Sequence, residues 1–490
     1  MARRALTLKI ESARDLAVNA LLAFDTDDRD IEASLDEAFR EAAWSDPDRR
    51  LATELAYGVC RRLITLDHLI GCYSTRPLRR IEHAVKEILR VGLYQMVCLS
   101  RTPDFAAVHE AVEQAKRTGL RGAHGFVNAV LRAAQADIAG HVDGPVTLAR
   151  NVLWLDEQRG VTFRSNVFPH PTRQQIKYYR AAFGYPMWLI ERWLRQFGAK
   201  GLIPLMLAGN GRPMLSLRVN PLRCTREQLL EALQQAGVGA KAWGQSVTLT
   251  ERMPVEKLVG YDQGWFSVQD VTATEAASLL AAQPGERVLD LCAAPGGKTM
   301  CLAGAMENHG TIVACDVITE KLTLIERNCR RLGMSIVRTS LADEVGKVAE
   351  HQGPFDAALV DVPCSNSGVL ARRVEARHRL KPVHVHTLRA RQAELLERAA
   401  RLLKPAGRLV YSTCSVEAAE NEQIVEAFLA RHEDFAQVKA QHWLPGERSL
   451  KGSTAELSQQ TNDAQPATGE IGPLWRDGGY ASLLQRKPKT

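Results

Sequence analysis

Residues 288–299 read Val-Leu-Asp-Leu-Cys-Ala-Ala-Pro-Gly-Gly-Lys-Thr. The first four residues have the apolar character of a short buried strand, and the small residues after them let the backbone approach a ligand before a helix begins. The stretch lacks the G-x-G-x-x-G pattern of dinucleotide sites and the G-x-x-x-x-G-K-[ST] pattern of phosphate-binding loops, because only two adjacent glycines precede the lysine. It therefore predicts a ligand loop that holds neither a dinucleotide nor a nucleoside triphosphate.

Short apolar strands alternate with amphipathic helices around this loop. The predicted strands lie at 287–291, 311–315, 335–339, 355–360 and 408–412, and the predicted helices lie at 320–332 and 388–403. Such alternation predicts a doubly wound, mostly parallel α/β sheet. The loops at the carboxyl ends of its strands are then expected to form the ligand site.

The residues before this sheet predict two further structural units. Apolar residues recur at three- and four-residue spacings from about Ser12 to Ala139, which predicts an all-helical domain. Glycines and prolines between 139 and 172 indicate a connection, and a helix near 226–236 between strands at 215–220 and 246–250 predicts a small α+β unit. We divide the chain into a helical domain (1–140), a linker (141–170), an α+β subdomain (171–283) and the α/β domain (284–490), the last with a polar surface insertion at 452–469.

The overall composition is that of a multidomain globular protein. Of the residues, 45% are hydrophobic and 24% charged, and the net charge of +7 favours a polyanionic partner. The ten cysteines form no C-x-x-C pair, which argues against a metal site and fits a reducing cytoplasm. Neither a membrane span nor a secretory signal is predicted, since charged residues interrupt the apolar N-terminal segment.

Two aspartates follow successive predicted strands. Asp316 ends the second strand, where a carboxylate can accept both hydroxyl groups of a ribose. Asp343 follows the third strand, a position suited either to bonding an adenine amino group or to capping a helix. Their placement at neighbouring strand ends favours a nucleoside site.

Two cysteines are expected to emerge at the same edge of the sheet. The fourth strand leads into Asp361-Val-Pro-Cys364-Ser, and the fifth into Ser-Thr-Cys414-Ser. Carbon 5 of cytosine accepts a methyl group from a sulfonium donor only after a thiolate has added to carbon 6, and cysteine is the side chain suited to that addition. An acid near N3, here Asp361, would stabilise the adduct. The residues alone leave open which of the two thiols attacks.

These motifs resemble those of the RNA cytosine-5 methyltransferases, and specifically the RsmB (Fmu/Sun) branch, which modifies small-subunit rRNA. The resemblance implies a C-terminal Rossmann-like class I methyltransferase domain that uses S-adenosylmethionine. It implies Cys414 as the nucleophile, Cys364 as an aid to product release and Asp361 as the group that stabilises the base. The cofactor contacts that it implies are Cys292, Ala293, Ala294, Pro295, Gly296, Gly297, Lys298, Asp316, Asp343 and Asp361.

The helical N-terminal region is similar to the RNA-binding protein NusB. The stretches that carry the similarity are Leu-Ala-Tyr-Gly-Val at 55–59, Leu-Arg-Val-Gly-Leu-Tyr-Gln at 89–95 and Gly-Phe-Val-Asn-Ala-Val-Leu-Arg at 125–132. Further family matches lie at 216–220 and 475–480. The chain departs from the family at Asn366, where many relatives have glycine, and at 374–378, which lack the proline and tryptophan common in relatives. The stacking contact on the base is then either altered or supplied by His378. The basic segment at 372–381 could grip phosphates or form a solvated face.

Together these features predict a cytoplasmic monomer that methylates carbon 5 of a cytosine in 16S rRNA through a covalent cysteine adduct. An enzyme of the same chemistry acting on transfer RNA or another ribosomal site remains an alternative, because catalytic residues do not encode the target. A non-catalytic RNA-binding or antitermination factor is a second alternative, but the intact Asp361, Cys364 and Cys414 argue against it.

Overall fold

The computed structural model describes residues 8–99, 102–251, 253–446 and 475–488. In these ranges the helices, in chain order, are α1 (Ala13–Asp27), α2 (Ile31–Glu41), α3 (Asp46–Tyr73), α4 (His83–Cys98), α5 (Asp104–Arg117), α6 (Ala123–Asp137), α7 (Gln175–Phe183), α8 (Met187–Asn210), α9 (Arg226–Gln235), α10 (Val271–Ser278), α11 (Gly297–Ala305), α12 (Thr319–Leu332), α13 (Val345–Gln352), α14 (Ala376–Arg379), α15 (Pro382–Arg401) and α16 (Glu422–Leu429). The strands are β1 (Ile138–Asp143), β2 (Val152–Trp154), β3 (Arg159–Phe163), β4 (Ser216–Val219), β5 (Ala240–Trp243), β6 (Ser246–Leu249), β7 (Phe266–Val268), β8 (Arg287–Asp290), β9 (Thr311–Asp316), β10 (Val337–Leu341), β11 (Phe355–Asp361), β12 (Leu403–Thr413), β13 (Phe435–Trp443) and β14 (Gly479–Arg486).

The chain forms two compact units. One comprises Met1–Gly211 together with Arg373–Arg379, and the other comprises Arg212–Arg372 and Leu380–Thr490. We call them the helical unit and the sheet unit. The finer four-part division made from the sequence stays a prediction, and the insertion expected at 452–469 lies outside the described residues.

The helical unit packs α1 and α3–α6 against one another, as the apolar spacing predicts. A close helix contact explains one of its motifs: Gly58 on α3 faces the ring of Tyr94 on α4, and a side chain at 58 would overlap that ring. The phenol of Tyr94 donates to Glu54 Oε1 over 2.6 Å. The stretches at 55–59 and 89–95 therefore carry the contact between two helices.

The stretch expected to be only a connection folds as a sheet, so this expectation was wrong. Strands β1, β3 and β2 pair antiparallel in that order. Val161 and Phe163 on β3 and all three residues of β2 are buried, with Trp154 donating from Nε1 to the carbonyl of Thr147 over 2.7 Å. The prediction relied on the glycines and prolines, which mark the turns, and gave no weight to the short apolar runs between them.

Residues 373–379 belong to the helical unit although they follow the sheet unit's residues in sequence. Arg377 is fully buried there and donates from Nη1 to Asn210 Oδ1 over 2.7 Å and to the carbonyl of Arg61 over 2.9 Å. Its guanidinium also lies over the ring of Tyr185, 4.2 Å from the centroid. Arg379 donates from Nε to Asp28 Oδ1 over 2.7 Å.

The sheet unit contains a small antiparallel sheet and a large mixed sheet. The small sheet has the order β5-β6-β4-β7, and α9 packs on it over a core that includes Leu217, Leu229 and Val247. Helix α9 begins with a capping box, in which the side chains and backbone amides of Thr225 and Gln228 bond reciprocally. The α+β unit expected from the sequence is thus present.

The large sheet has the order β10-β9-β8-β11-β12-β14-β13. Its first five strands are parallel, and β14 pairs antiparallel with both β12 and β13, so that β14 alone runs in the opposite direction. The expected mostly parallel sheet is confirmed. Separate apolar clusters cover its two faces. The chain runs outward from β8 through β9 to β10 and then returns to place β11 on the other side of β8, which makes the β8–β11 junction the topological switch point where ligands bind in such sheets.

Among the described residues, no helix is long and apolar enough to cross a membrane.

Candidate active site

The loop after β8 lies at the switch point and leads into α11. Its backbone is tied to neighbouring strands, since Leu291 N donates to the carbonyl of Leu359 over 3.0 Å and Ala293 N to that of Cys315 over 2.8 Å. Helix α11 begins at Gly297, so its first amide groups are free of intrahelical partners. Small side chains followed by a helix N-terminus are suited to a polar ligand.

Asp290, the last residue of β8, is buried beneath this loop. Its Oδ2 accepts a hydrogen bond of 2.7 Å from the hydroxyl of Thr299, and Oδ1 has no partner among the described residues. Burial raises the pKa of Asp290 to about 7, although the bond from Thr299 opposes the shift. Asp290 is therefore a carboxyl group that holds its proton up to nearly neutral pH.

Lys298 and Asp361 form an ion pair that joins the ends of α11 and β11. The ammonium of Lys298 lies 2.6 Å from Asp361 Oδ2, and Ser412 Oγ donates to Asp361 Oδ1 over 2.5 Å. Burial would lower the pKa of Lys298, but the attraction of Asp361 outweighs it and the net shift is upward. The lysine therefore stays charged and orients the carboxylate. Sequence reasoning missed Ser412, whose role follows only from the pairing of β12 with β11.

The two predicted cysteines meet at the same edge of the sheet. Cys364 Sγ lies 3.1 Å from Cys414 Sγ, and Cys414 Sγ contacts Asn366 Oδ1 at 3.3 Å. Cys364 is buried, whereas Cys414 is partly exposed. The hydrogen bond with Cys414, followed by burial, raises the pKa of Cys364 well above its usual value. Cys364 is thus held as a thiol.

Asn366 explains one departure from the expected pattern. Its φ is +58°, in the left-handed region that glycine adopts freely and asparagine tolerates. Its Nδ2 donates to the carbonyl of Cys364 over 3.2 Å, while its Oδ1 faces Cys414. The residue therefore keeps the turn that glycine would make and adds contacts to both cysteines.

Asp316 and Asp343, the residues expected to bind the ribose and the adenine, differ in exposure. Asp316, at the end of β9, is 8% exposed, and its Oδ1 accepts from Ile318 N over 3.2 Å. The side chain of Asp343 is 93% exposed, and its Oδ1 lies 3.5 Å from Arg398 Nη1. It sits on the single turn Ala342–Glu344. The roles assigned to both aspartates stay predictions.

The stacking contact expected from His378 is not supported. His378 belongs to the helical unit, where its Nε2 lies 2.8 Å from the carbonyl of Cys60 and its ring meets Phe24 edge to face. Burial lowers the pKa of His378 to about 3, so the ring is neutral and Nε2 carries the hydrogen that the carbonyl accepts. The idea that this segment is a solvated or phosphate-gripping face was likewise wrong for Arg377, which is fully buried.

Family models match three parts of the chain. The model of the 16S rRNA methyltransferase RsmB/F matches residues 277–465, that of the NusB family matches 11–136, and that of the RsmF/B-like ferredoxin-like domain matches 185–256. The probable ribosomal RNA small subunit methyltransferase B of Synechocystis is 34% identical over 86% of this chain and 90% of its own. The chain belongs to the RsmB/F 16S rRNA methyltransferase family. Members of this family are S-adenosylmethionine-dependent RNA cytosine-5 methyltransferases, and so is this protein.

A second relative agrees with this assignment, and a solved structure shares the fold. The ribosomal RNA small subunit methyltransferase B of Cronobacter sakazakii is 32% identical over 84% of this chain and 89% of its own. The crystal structure of PH0851 aligns with a TM-score of 0.70 over 98% of this chain and all of its own, at 23% identity, which shows a shared fold. The expected family, the helical NusB-like region, the small α+β unit and the Rossmann-like methyltransferase domain are confirmed.

Proposed function

We propose that this protein methylates carbon 5 of a cytosine in 16S rRNA through a covalent bond between Cys414 and carbon 6. One observation carries the proposal: two thiols and the Lys298–Asp361 pair lie together at the carboxyl ends of β8, β11 and β12. The small-subunit target is supported by the family model and by the names of the relatives, which are ribosomal RNA small subunit methyltransferases.

The residues after β8 fit S-adenosylmethionine. Ala293 and Ala294 leave space beside the backbone, the N-terminus of α11 offers amide donors, and the nearly buried Asp316 offers a carboxylate for ribose hydroxyls. The remaining proposed contacts lie in the same loop or beside it, at Cys292, Pro295, Gly296, Gly297, Lys298, Asp343 and Asp361. When bound, the cofactor supplies an electrophilic methyl group on a sulfonium centre.

The assignment of the nucleophile rests on the difference between the two thiols. Cys414 is partly exposed and so is open to a base, whereas Cys364 is buried and its raised pKa keeps it protonated. Cys414 as thiolate adds to carbon 6 of the cytosine. Asp361, held by Lys298 and Ser412, steadies the protonated N3 of the ring.

After the methyl group has moved to carbon 5, the proton on that carbon leaves and the bond between Cys414 and carbon 6 breaks. Cys364, 3.1 Å from Cys414, is placed to assist this elimination. An unpaired cytosine must leave its stack to reach the cleft, and the helical and small antiparallel regions supply the RNA-binding surface for that step. We place the activity in the cytoplasm, with which ten free cysteines agree, and we expect a monomer.

Two experiments test this function. In a strain that lacks the gene, bisulfite sequencing should show the loss of one 5-methylcytosine from 16S rRNA. An unchanged 16S pattern with a loss in transfer RNA would favour the other target, and no loss in any RNA would favour a non-catalytic factor. With purified protein, Cys364→Ala should accumulate a covalent protein–RNA adduct and Cys414→Ala should form none. An adduct that persists without Cys414 would contradict the assignment.

A further inference from the structure

A buried carboxylate, that of Glu420, connects the two cysteine loops. Glu420 is fully buried, and its Oε1 accepts from Ser365 N over 2.9 Å and from Gln392 Nε2 over 3.0 Å. Its Oε2 accepts from Ser365 Oγ over 2.5 Å and from Ser415 Oγ over 2.6 Å. A buried charge is tolerated only when hydrogen bonds replace water, and four donors meet that need here.

The donors are the residues that follow the two thiols. Ser365 comes directly after Cys364 in the loop behind β11, and Ser415 directly after Cys414 in the loop behind β12. The two serine hydroxyls also lie 3.1 Å from each other. One carboxylate therefore bonds two loops that are far apart in sequence. Direct bonds from Val416 N to Ser367 Oγ and from Gly368 N to the carbonyl of Cys414, each over 3.0 Å, also join these loops.

Neighbouring contacts hold Glu420 itself in place. Tyr411 Oη donates to the carbonyl of Glu420 over 2.6 Å, and Gln392 Nε2 also donates to the carbonyl of Pro363 over 3.0 Å. The next residue, Asn421, accepts from Thr413 Oγ1 over 2.6 Å and donates to the carbonyl of Ser415 over 2.9 Å. The turn that carries Cys414 is thus held on both sides.

We propose that Glu420 is a positioning residue, which sets the separation of the Cys414 and Cys364 thiols by bonding both loops at once. This inference rests on the proposed function, since it assumes that Cys414 forms the adduct and that Cys364 assists its release. Glu420 touches neither thiol and acts through Ser365 and Ser415. Its contribution comes from a side chain long enough to bond both loops, and its negative charge is secondary.

Two substitutions separate the effect of the length of the Glu420 side chain from the effect of its charge. Glu420→Asp keeps the charge but shortens the side chain by one methylene, so it cannot bond both loops at their present distance. Glu420→Gln keeps the length, and its orientation is determined: Ser365 N and Gln392 Nε2 can only donate, so the amide oxygen must replace Oε1. The amide nitrogen then faces two serine hydroxyls, which can rotate to accept.

The assay uses small-subunit rRNA transcribed with 5-fluorocytidine, which has no proton at carbon 5 and therefore traps the adduct after methyl transfer. Adduct formation is timed on this RNA, and turnover is timed on unmodified RNA. Glu420→Asp should slow adduct formation about 100-fold, because displacing a reacting group by about 1 Å has an effect of that order. Glu420→Gln should stay within about 10-fold of wild type, because the reacting groups keep their positions.

Glu286→Asp is the matched control. Glu286 is another glutamate of the sheet unit. It is partly buried and accepts from Arg408 Nη2 over 2.7 Å, but it precedes β8 and lies at the opposite end of the strand from the site. Its substitution should lower stability without slowing adduct formation. Equilibrium binding of S-adenosylmethionine should be the same in all variants, since none of these residues is a proposed cofactor contact.

The outcomes are distinct. If wild-type protein forms no adduct, the proposed function fails. If wild type forms the adduct and Glu420→Asp forms it at the same rate, the length of the Glu420 side chain is not what matters. The same conclusion follows if Glu420→Gln is slower than Glu420→Asp. Should Glu420→Asp fail to fold, single serine variants replace it: Ser415→Ala should slow adduct formation, and Ser365→Ala should slow release and so accumulate adduct. Equal effects of the two serine variants on both steps would overturn the inference.

Discussion

Asp290→Asn should stabilise the sheet unit in a pH-dependent way. Asp290 is 1% exposed, and burial raises its pKa from 3.8 to about 7. Between about pH 4 and pH 7 the folded protein therefore retains a proton that the unfolded chain has released, and the free energy of unfolding falls as the pH rises. Above pH 7 the full cost is present, and at about 1.36 kcal/mol per pKa unit it reaches about 4 kcal/mol.

Asparagine has nearly the same shape as aspartate and cannot ionise, and its Oδ1 can accept the hydrogen bond from Thr299 that Asp290 Oδ2 accepts now. The gain in stability over wild type should be near zero at pH 4 and approach about 4 kcal/mol at pH 8. Because the protein has two units, the measurement is hydrogen exchange followed by mass spectrometry, which reports the opening of β8 and β9 separately from the helical unit.

Asp356→Asn is the control of opposite sign. Burial would raise the pKa of Asp356, but hydrogen bonds from Lys404 Nζ and Arg287 N outweigh it and the net shift is downward. Wild type therefore gains stability from Asp356 above about pH 4, and the variant should lose more stability at pH 8 than at acid pH. If Asp290→Asn changes stability equally at pH 5 and pH 8, Asp290 does not hold the extra proton and the reasoning is wrong.

Two other substitutions test the packing around the site and in the helical unit. Gly368→Ala should lower turnover about 10-fold or more while cofactor binding persists, because the added methyl group would overlap the carbonyl oxygen of Gly478 and lie 2.8 Å from that of Cys414, so the Cys414 loop must shift. An unimpaired variant would show that the backbone around Gly368 yields without moving Cys414. Arg377→Ala should destabilise the helical unit by about 3 kcal/mol, since Asn210 Oδ1 and the carbonyl of Gly209 lose their donor in the interior. Hydrogen exchange in α3 and α8 measures this effect, and unchanged protection there would contradict it.

The sequence was most informative where chemistry is local. Strand–loop motifs predicted β8, β9, β11 and β12 and the residues at their ends, because an apolar run followed by small or reactive residues is readable without knowledge of the fold. The meeting of Cys364 with Cys414 followed from the rule that parallel strands end at one edge. The antiparallel β13 and β14 were not predicted, since neither the order of the strands nor their direction is written in a local pattern.

What escaped prediction depends on partners distant in sequence. Glu420 follows Cys414 by only six residues, but its importance comes from Ser365 and Gln392, which other strands and helices bring to it. His378 was considered for the stacking contact on the base because the proline and tryptophan common in relatives are missing there, and the segment around it was expected at the surface because it is basic. The burial of Arg377 among backbone carbonyls contradicts that expectation, and the pattern of charges in the sequence does not predict this burial.

The path of residues 373–379 limits how this protein can be dissected. Since the chain leaves the sheet unit after Arg372, completes the helical unit and returns at Leu380, a cut near residue 211 does not yield two self-sufficient fragments. A recombinant fragment that starts at Arg212 would contain Arg377 and Arg379 without the acceptors that they have in the helical unit. The complementary fragment would lack the guanidinium group that lies over the ring of Tyr185. During synthesis the helical unit likewise stays incomplete until most of the sheet unit has left the ribosome.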